Sequence, residues 1–150
     1  MNPDSDDPSR TGGKICVKAF TPWDDMLAFS RVVCIGNEAW VSACAPLDSQ
    51  GVMVGVGDAY AQACQCIKNI TQALAKVHFS AGDIVRTRIY LRSFQDLDDV
   101  ARAHRETFAR IRPACAVLAV ADLVLPEMRV YIEAEARRIG AAPATAQEIQ

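Results

Sequence analysis

Apolar positions recur every second residue in some segments and every three to four residues in others, and these switches divide the chain into elements. Lys14–Phe20, Ala28–Ile35 and Glu38–Cys44 read as strands. The last two are joined by Gly36-Asn37, a two-residue hairpin signal because both residues tolerate positive φ. From Asp58 the period lengthens: Ala59, Ala63, Cys66, Ile67, Ile70, Leu74 and Val77 form one stripe of a long helix. Asp58 caps its start and "SAGD" follows its end. Ile84–Arg92 alternates again, with Val85, Thr87, Ile89 and Leu91 on one face and Arg86, Arg88, Tyr90 and Arg92 on the other. A second helix runs from Asp96 to Arg110, with Leu97, Val100, Ala101, His104, Phe108 and Ile111 on its stripe, until Pro113 stops it. Two strand-like runs close the pattern. Ala114–Ala121 is apolar at nearly every position. Met128–Glu135 alternates, with Met128, Val130, Ile132 and Ala134 opposed to Arg129, Tyr131, Glu133 and Glu135.

The order β-β-β-α-β-α-β-β describes an α/β domain, a mixed sheet with two helices on one face. A strand apolar on both sides calls for cover on both sides, and the chain has no third layer to supply it. The pattern therefore predicts an obligate oligomer in which sheets of different copies pack together. At 150 residues a single domain is expected, over residues 14–139, with flexible ends at 1–13 and 140–150.

Composition narrows the function classes. A net charge of −2 and pI near 5.6 give no electrostatic reason to expect nucleic acid or an anionic membrane. No apolar run reaches the roughly 18 residues of a spanning helix. The acidic, Pro- and Gly-rich start is unlike a signal peptide, so cytoplasmic residence with reduced thiols is expected. "APLDSQGVMVGVG" lacks both the GKS/T of a phosphate loop and the GxGxxG of a dinucleotide fold. Cys64-x-Cys66 is one residue short of CxxC and has no second pair, which argues against zinc. No cofactor is expected. Most of the six cysteines read as buried structural thiols.

Four ordered stretches, "FSRVVCIGNEAWVSACAP", "GDAYAQACQCIKNITQAL", "AGDIVRTRIYLRSFQDLDDVARAHRETFARIRPA" and "VADLVLPEMRVYIEAEA", resemble the RidA (YjgF) family of reactive-intermediate deaminases. Together they span about residues 26–137. The resemblance implies a chorismate-mutase-like domain, a homotrimer around a central sheet barrel, and small-molecule pockets in the clefts between subunits. It also implies hydrolysis of 2-imino or 2-enamino acids to 2-keto acids and ammonia. Such chemistry needs a fork of donors for the substrate carboxylate and a group that positions water and moves protons.

By this resemblance the family's catalytic glutamate falls on Glu133, and its carboxylate-binding arginine on Cys115 in "RPAC". Phe29 stands where the family has a tyrosine, and Ser42-Ala43-Cys44 where it has a small polar stretch. Arg31, Gln95 and Val117 complete the implied pocket. Without the guanidinium, ordinary 2-imino acids lose an anchor of about 1.5–3 kcal/mol. A hydrolase or binder of an unusual imine or enamine is therefore expected. The alternatives are a non-catalytic trimer that binds a small ligand or partner, and a cysteine-dependent hydrolase or redox sensor using Cys115 or Cys44. Glu133 itself has two readings: balancing a nearby arginine, or serving a cleft.

Overall fold

A computed structural model of the chain describes residues 10–11 and 13–140. Seven strands form one sheet in the order β1-β2-β3-β4-β7-β5-β6. They are β1 (Arg10–Thr11), β2 (Lys14–Lys18), β3 (Ser30–Ile35), β4 (Glu38–Cys44), β5 (Ile84–Leu91), β6 (Ala114–Ala119) and β7 (Val130–Arg137). Helices α1 (Asp24–Leu27), α2 (Ala59–Ala75) and α3 (Leu97–Phe108) complete the fold. The periodicity missed only β1 and α1, each too short to show a period. Of the ends expected to be flexible, residues 1–9, 12 and 141–150 lie outside the described residues, while Arg10–Thr11 pair with β2.

Helices α2 and α3 pack against one face of the sheet, as the pattern implied. Ala63, Cys66, Ile67, Ile70 and Leu74 of α2 meet Val32, Val41, Ile89, Ile132 and Ala134 in a continuous core with Val100, Ala103 and Phe108 of α3. Each large aliphatic side chain buried this way contributes about 1.5–3 kcal/mol. The Asp58 carboxylate accepts the Ala61 amide at 3.0 Å and caps α2. Fully buried Gln62 donates to the Gly55 and Glu127 carbonyls and accepts the Arg129 amide, tying α2 to the loop before β7. Gly55 is required there. Its φ is +69°, and a Cβ would lie 2.7 Å from that of Ala61.

Two details depart from the pattern. Val85 was expected on the core face of β5, but an irregularity in its pairing with β7 between Ile84 and Arg86 turns Ile84 inward and exposes Val85. At the hairpin, Ile35 pairs with Glu38 across the two-residue turn, but only Gly36 of the two turn residues has positive φ.

Strand β6 is where the single chain falls short. It lies parallel to β5 at the edge of the sheet, and no side chain in it is fully buried. Leu118 is 51% exposed. An apolar edge with open backbone groups is a surface that proteins normally cover or pair. The second layer over this strand is not supplied by the described residues.

His104 of α3 marks the helix-covered side. Its Nε2 lies 2.9 Å from Thr87 Oγ1, its ring is 4.5 Å from that of Phe108, and burial lowers its pKa below 6.5. The unfolded chain thus binds this proton more readily, so stability falls as pH drops below about 6.5. Thermal unfolding from pH 7.5 to 5.5 should show this loss, and His104→Gln should flatten it.

Candidate active site

Register determines which groups meet on the uncovered face. Strands β5 and β7 are antiparallel, with Arg86 opposite Glu135, Arg88 opposite Glu133 and Tyr90 opposite Tyr131. Alternation sends all six side chains to the face away from the helices. The Tyr90 hydroxyl donates to Glu133 Oε1 at 2.5 Å. Arg88 Nη1 lies 3.7 Å from that oxygen but only 2.8 Å from Glu135 Oε1, and Arg86 Nε is 3.9 Å from Glu135 Oε2.

Glu133 thus has both an ion-pair contact with Arg88 and a hydrogen bond from a phenol. The shorter contact of Arg88 is to Glu135, and the shorter contact of Glu133 is the Tyr90 phenol. Ion pairs this exposed contribute about 0–1 kcal/mol, so they orient more than they stabilise. The bond to Glu133, followed by partial burial, raises the pKa of Tyr90 and keeps its proton in place. The pair is thus a carboxylate with an attached proton donor. It can accept a proton from water and pass one on.

Tyr90 is also a wall of a hollow of about 280 Å³ lined by Val120, Asp122, Leu123, Val124 and Tyr131. Among the described residues, no lysine or arginine lines it. Asp122 is engaged by Arg92 at 2.7 Å, which together with the Leu123 amide holds its pKa below the usual carboxylate value. Behind the hollow, Tyr131, Phe29, Leu123 and Leu125 pack on buried Trp23, Leu47 and Met128.

The other residues implied by the resemblance fall into separate groups. Phe29, Arg31, Ser42 and Cys44 come together where β3 begins and β4 ends. Arg31 Nη1 donates to the carbonyls of Ser42 and Ala43 at 3.0 and 2.8 Å and lies 3.4 Å from Cys44 Sγ. Its guanidinium carbon sits 5.7 Å from the Phe29 ring centre, and Ser42 Oγ donates to the Ser30 carbonyl at 2.6 Å. Arg31 therefore braces the irregular end of β4 within its own chain. Burial pushes the Cys44 thiol up to about 11, against the opposing pull of Arg31, so Cys44 is a protonated packing group at neutral pH and a poor nucleophile. Gln95 is exposed in the short turn before α3, and its side chain makes no hydrogen bond within the described residues.

Cys115 and Val117 pair with Thr87 and Ile89, residues of the helix-covered face. Within one chain they therefore point to the side of the sheet opposite Glu133. Cys115 is exposed, and its nearest polar contact is the carbonyl of its own neighbour Ala116 at 3.8 Å. The residues that sequence reasoning passed over are Tyr90 and Tyr131. Their place on the polar face was legible, but their meeting with Glu133 required the β5–β7 register. Among the described residues, no three of His, Cys, Asp and Glu converge as metal ligands. Nor is any described helix long and apolar enough to cross a membrane.

Comparison with known proteins gives this arrangement its context. Residues 23–138 match the family described as endoribonuclease L-PSP. The chain belongs to this family, which is that of YjgF and RidA. It is 30% identical over 122 residues to an uncharacterised Streptomyces coelicolor protein, covering 81% of this chain and 90% of that one. It is 32% identical over 96 residues to the 3-aminoacrylate deaminase RutC of Acinetobacter baylyi, covering 64% and 75% respectively. The crystal structure of Mycobacterium tuberculosis Rv2704, a member of the YjgF/YER057c/UK114 family, superposes with a TM-score of 0.75 at 28% identity, over 83% of this chain and 99% of that one. The mixed sheet with helices on one side is the fold of this RidA-family chain.

If Tyr90 positions the Glu133 proton, Tyr90→Phe should lower turnover of a responsive imine or enamine about ten-fold, and Glu133→Gln about 10²-fold or more. Both variants should remain folded. If Glu133 merely balances charge, Glu133→Gln should shift the melting temperature and leave turnover intact; steady-state kinetics with thermal unfolding separates the two.

Proposed function

We propose that this RidA-family protein is a homotrimer that hydrolyses an imine- or enamine-type metabolite in clefts between subunits. The observation that carries the reading is the Tyr90–Glu133 pair beside the hollow on the uncovered face. Hydrolysis of an enamine requires a proton on its β-carbon, water on the resulting iminium carbon, and a proton on the departing ammonia. Solvent supplies the β-carbon proton. Glu133, oriented by Tyr90, takes a proton from the attacking water and passes it to the departing amine, and the proton of the carbinol hydroxyl returns to solvent as the carbonyl forms. The aldehyde or ketone and ammonia leave, and the carboxylate returns to its starting state. The name of the Acinetobacter relative, a 3-aminoacrylate deaminase, supports an enamine as the substrate type.

The substrate lacks a carboxylate on the imine carbon. The hollow has no cationic wall, and Cys115 has no guanidinium to offer from the cleft of another subunit. A lost charge-assisted bond of about 1.5–3 kcal/mol corresponds to ten-fold or more in affinity. Tight binding with no turnover is the second reading, favoured by Cys115 and Glu133 lying on opposite faces of one chain. In either case the ligand is a small metabolite, and neither nucleic acid nor membrane is engaged.

A semicarbazide-competition assay should give a rate on 2-iminopropanoate at least about ten-fold below that on an enamine without the adjacent carboxylate. Cys115→Arg should narrow the gap. Equal rates for the two substrates in the unmodified protein would contradict the assignment. Sedimentation equilibrium should give a trimer at micromolar concentration; a stable monomer would remove the cleft altogether.

A further inference from the structure

A second cavity lies on the other side of the sheet, between the C-terminal half of α2 and the ends of β2, β3 and β4. It is open to solvent and has a volume of about 150 Å³, at least ten times the roughly 10–15 Å³ that one water needs. Lys18, Arg31 and Lys76 line it, with Phe20, Thr21, Ser49 and Gln72 among its other walls. Two of the chain's four lysines thus converge on one small space in a protein whose net charge is −2.

What sets these cations apart is that they converge on one cavity. Lys18 Nζ and Lys76 Nζ each sit 5.9 Å from the centre of the Phe20 ring, although Phe20 is 79% exposed. The ring face attracts both ammonium groups, which brings like charges together at the mouth of the cavity. Arg86, Arg88, Arg92, Arg102, Arg129 and Arg137 all have carboxylate partners. Among the described residues, Lys18, Arg31 and Lys76 have none. Asp48 lines the same cavity and keeps its negative charge, with its Oδ1 accepting the backbone amides of Gln50 and Val52, so the cations outnumber it three to one. Arg31 uses only Nη1 on its carbonyl and sulfur partners, leaving the rest of its planar fork for another acceptor. Three converging cations with spare donors want a compact anion with several acceptor oxygens.

We propose that this cavity binds a small phosphate or phosphate monoester, at a site separate from the Glu133 hollow. Arg31 and Lys76 take the phosphoryl oxygens, Lys18 closes over them, and the organic part of a monoester lies against Phe20.

Isothermal titration with inorganic phosphate, at ionic strength held constant with chloride, tests this. Saturable binding is expected, with Lys18→Gln and Lys76→Gln each weakening it about ten-fold. Lys14→Gln and Lys68→Gln, at exposed lysines elsewhere, should leave it unchanged, as should Glu133→Gln. Phosphate should also raise the melting temperature of the unmodified protein and not that of a Lys18/Lys76 double variant. Absence of saturation would overturn the proposal. So would equal weakening by Lys14→Gln, which marks diffuse attraction, or tighter binding of malonate than of phosphate, which marks a carboxylate site.

Discussion

The pairing of β5 with β7 is the constraint on which the rest of the molecule depends. It places Thr87, Ile89 and Leu91 beside Ala134, Ile132 and Val130 under the helices, and Arg88 and Tyr90 beside Glu133 and Tyr131 on the reverse. A one-residue slip of β5 would exchange its two faces and bury Arg86 and Arg88. The core thus enforces the register, and the register assembles the polar cluster. The chemistry of the uncovered face follows from packing on the covered one.

Strand β6 extends this logic beyond the single chain. Its parallel pairing with β5 puts Ala114, Ala116 and Leu118 on the face of Glu133, and Cys115 and Val117 on the face of the helices. Apolar residues on both sides of an edge strand have little use in an isolated domain. In the proposed trimer the open face meets other copies, and a residue pointing away from Glu133 in one chain can approach the Glu133 of another. The charge-balanced cluster Arg86, Arg88, Glu133 and Glu135 suits such a setting, because each buried charge keeps a partner.

Much of this was legible in the residues. Strict alternation in Met128–Glu135 gave the buried set of β7 correctly, and the three-to-four period located both long helices. Val85 was misplaced because a pairing irregularity breaks the parity on which alternation relies. Glu133 could be found from family resemblance, but not its partner: nothing local distinguishes Tyr90 from any other outward residue of β5. Arg31 was read as part of the implied pocket. The irregularity between Val41 and Cys44 brings the Ser42 and Ala43 carbonyls to its Nη1, which a linear pattern does not reveal. The opposite faces of Cys115 and Glu133 follow from strand parity once β6 is known to run beside β5.

The central claim is that the face carrying Glu133 and β6 is covered by other copies of the chain. Carbene footprinting of Leu118 measures this directly, with Met26 as an internal reference, since the two are 51% and 79% exposed in the isolated chain. The account predicts that Leu118 is nearly unlabelled at micromolar concentration while Met26 reacts fully, and that Leu118 becomes reactive when the assembly is dissociated. Labelling of Leu118 in proportion to its exposure in the single chain, unchanged by dilution, would contradict it.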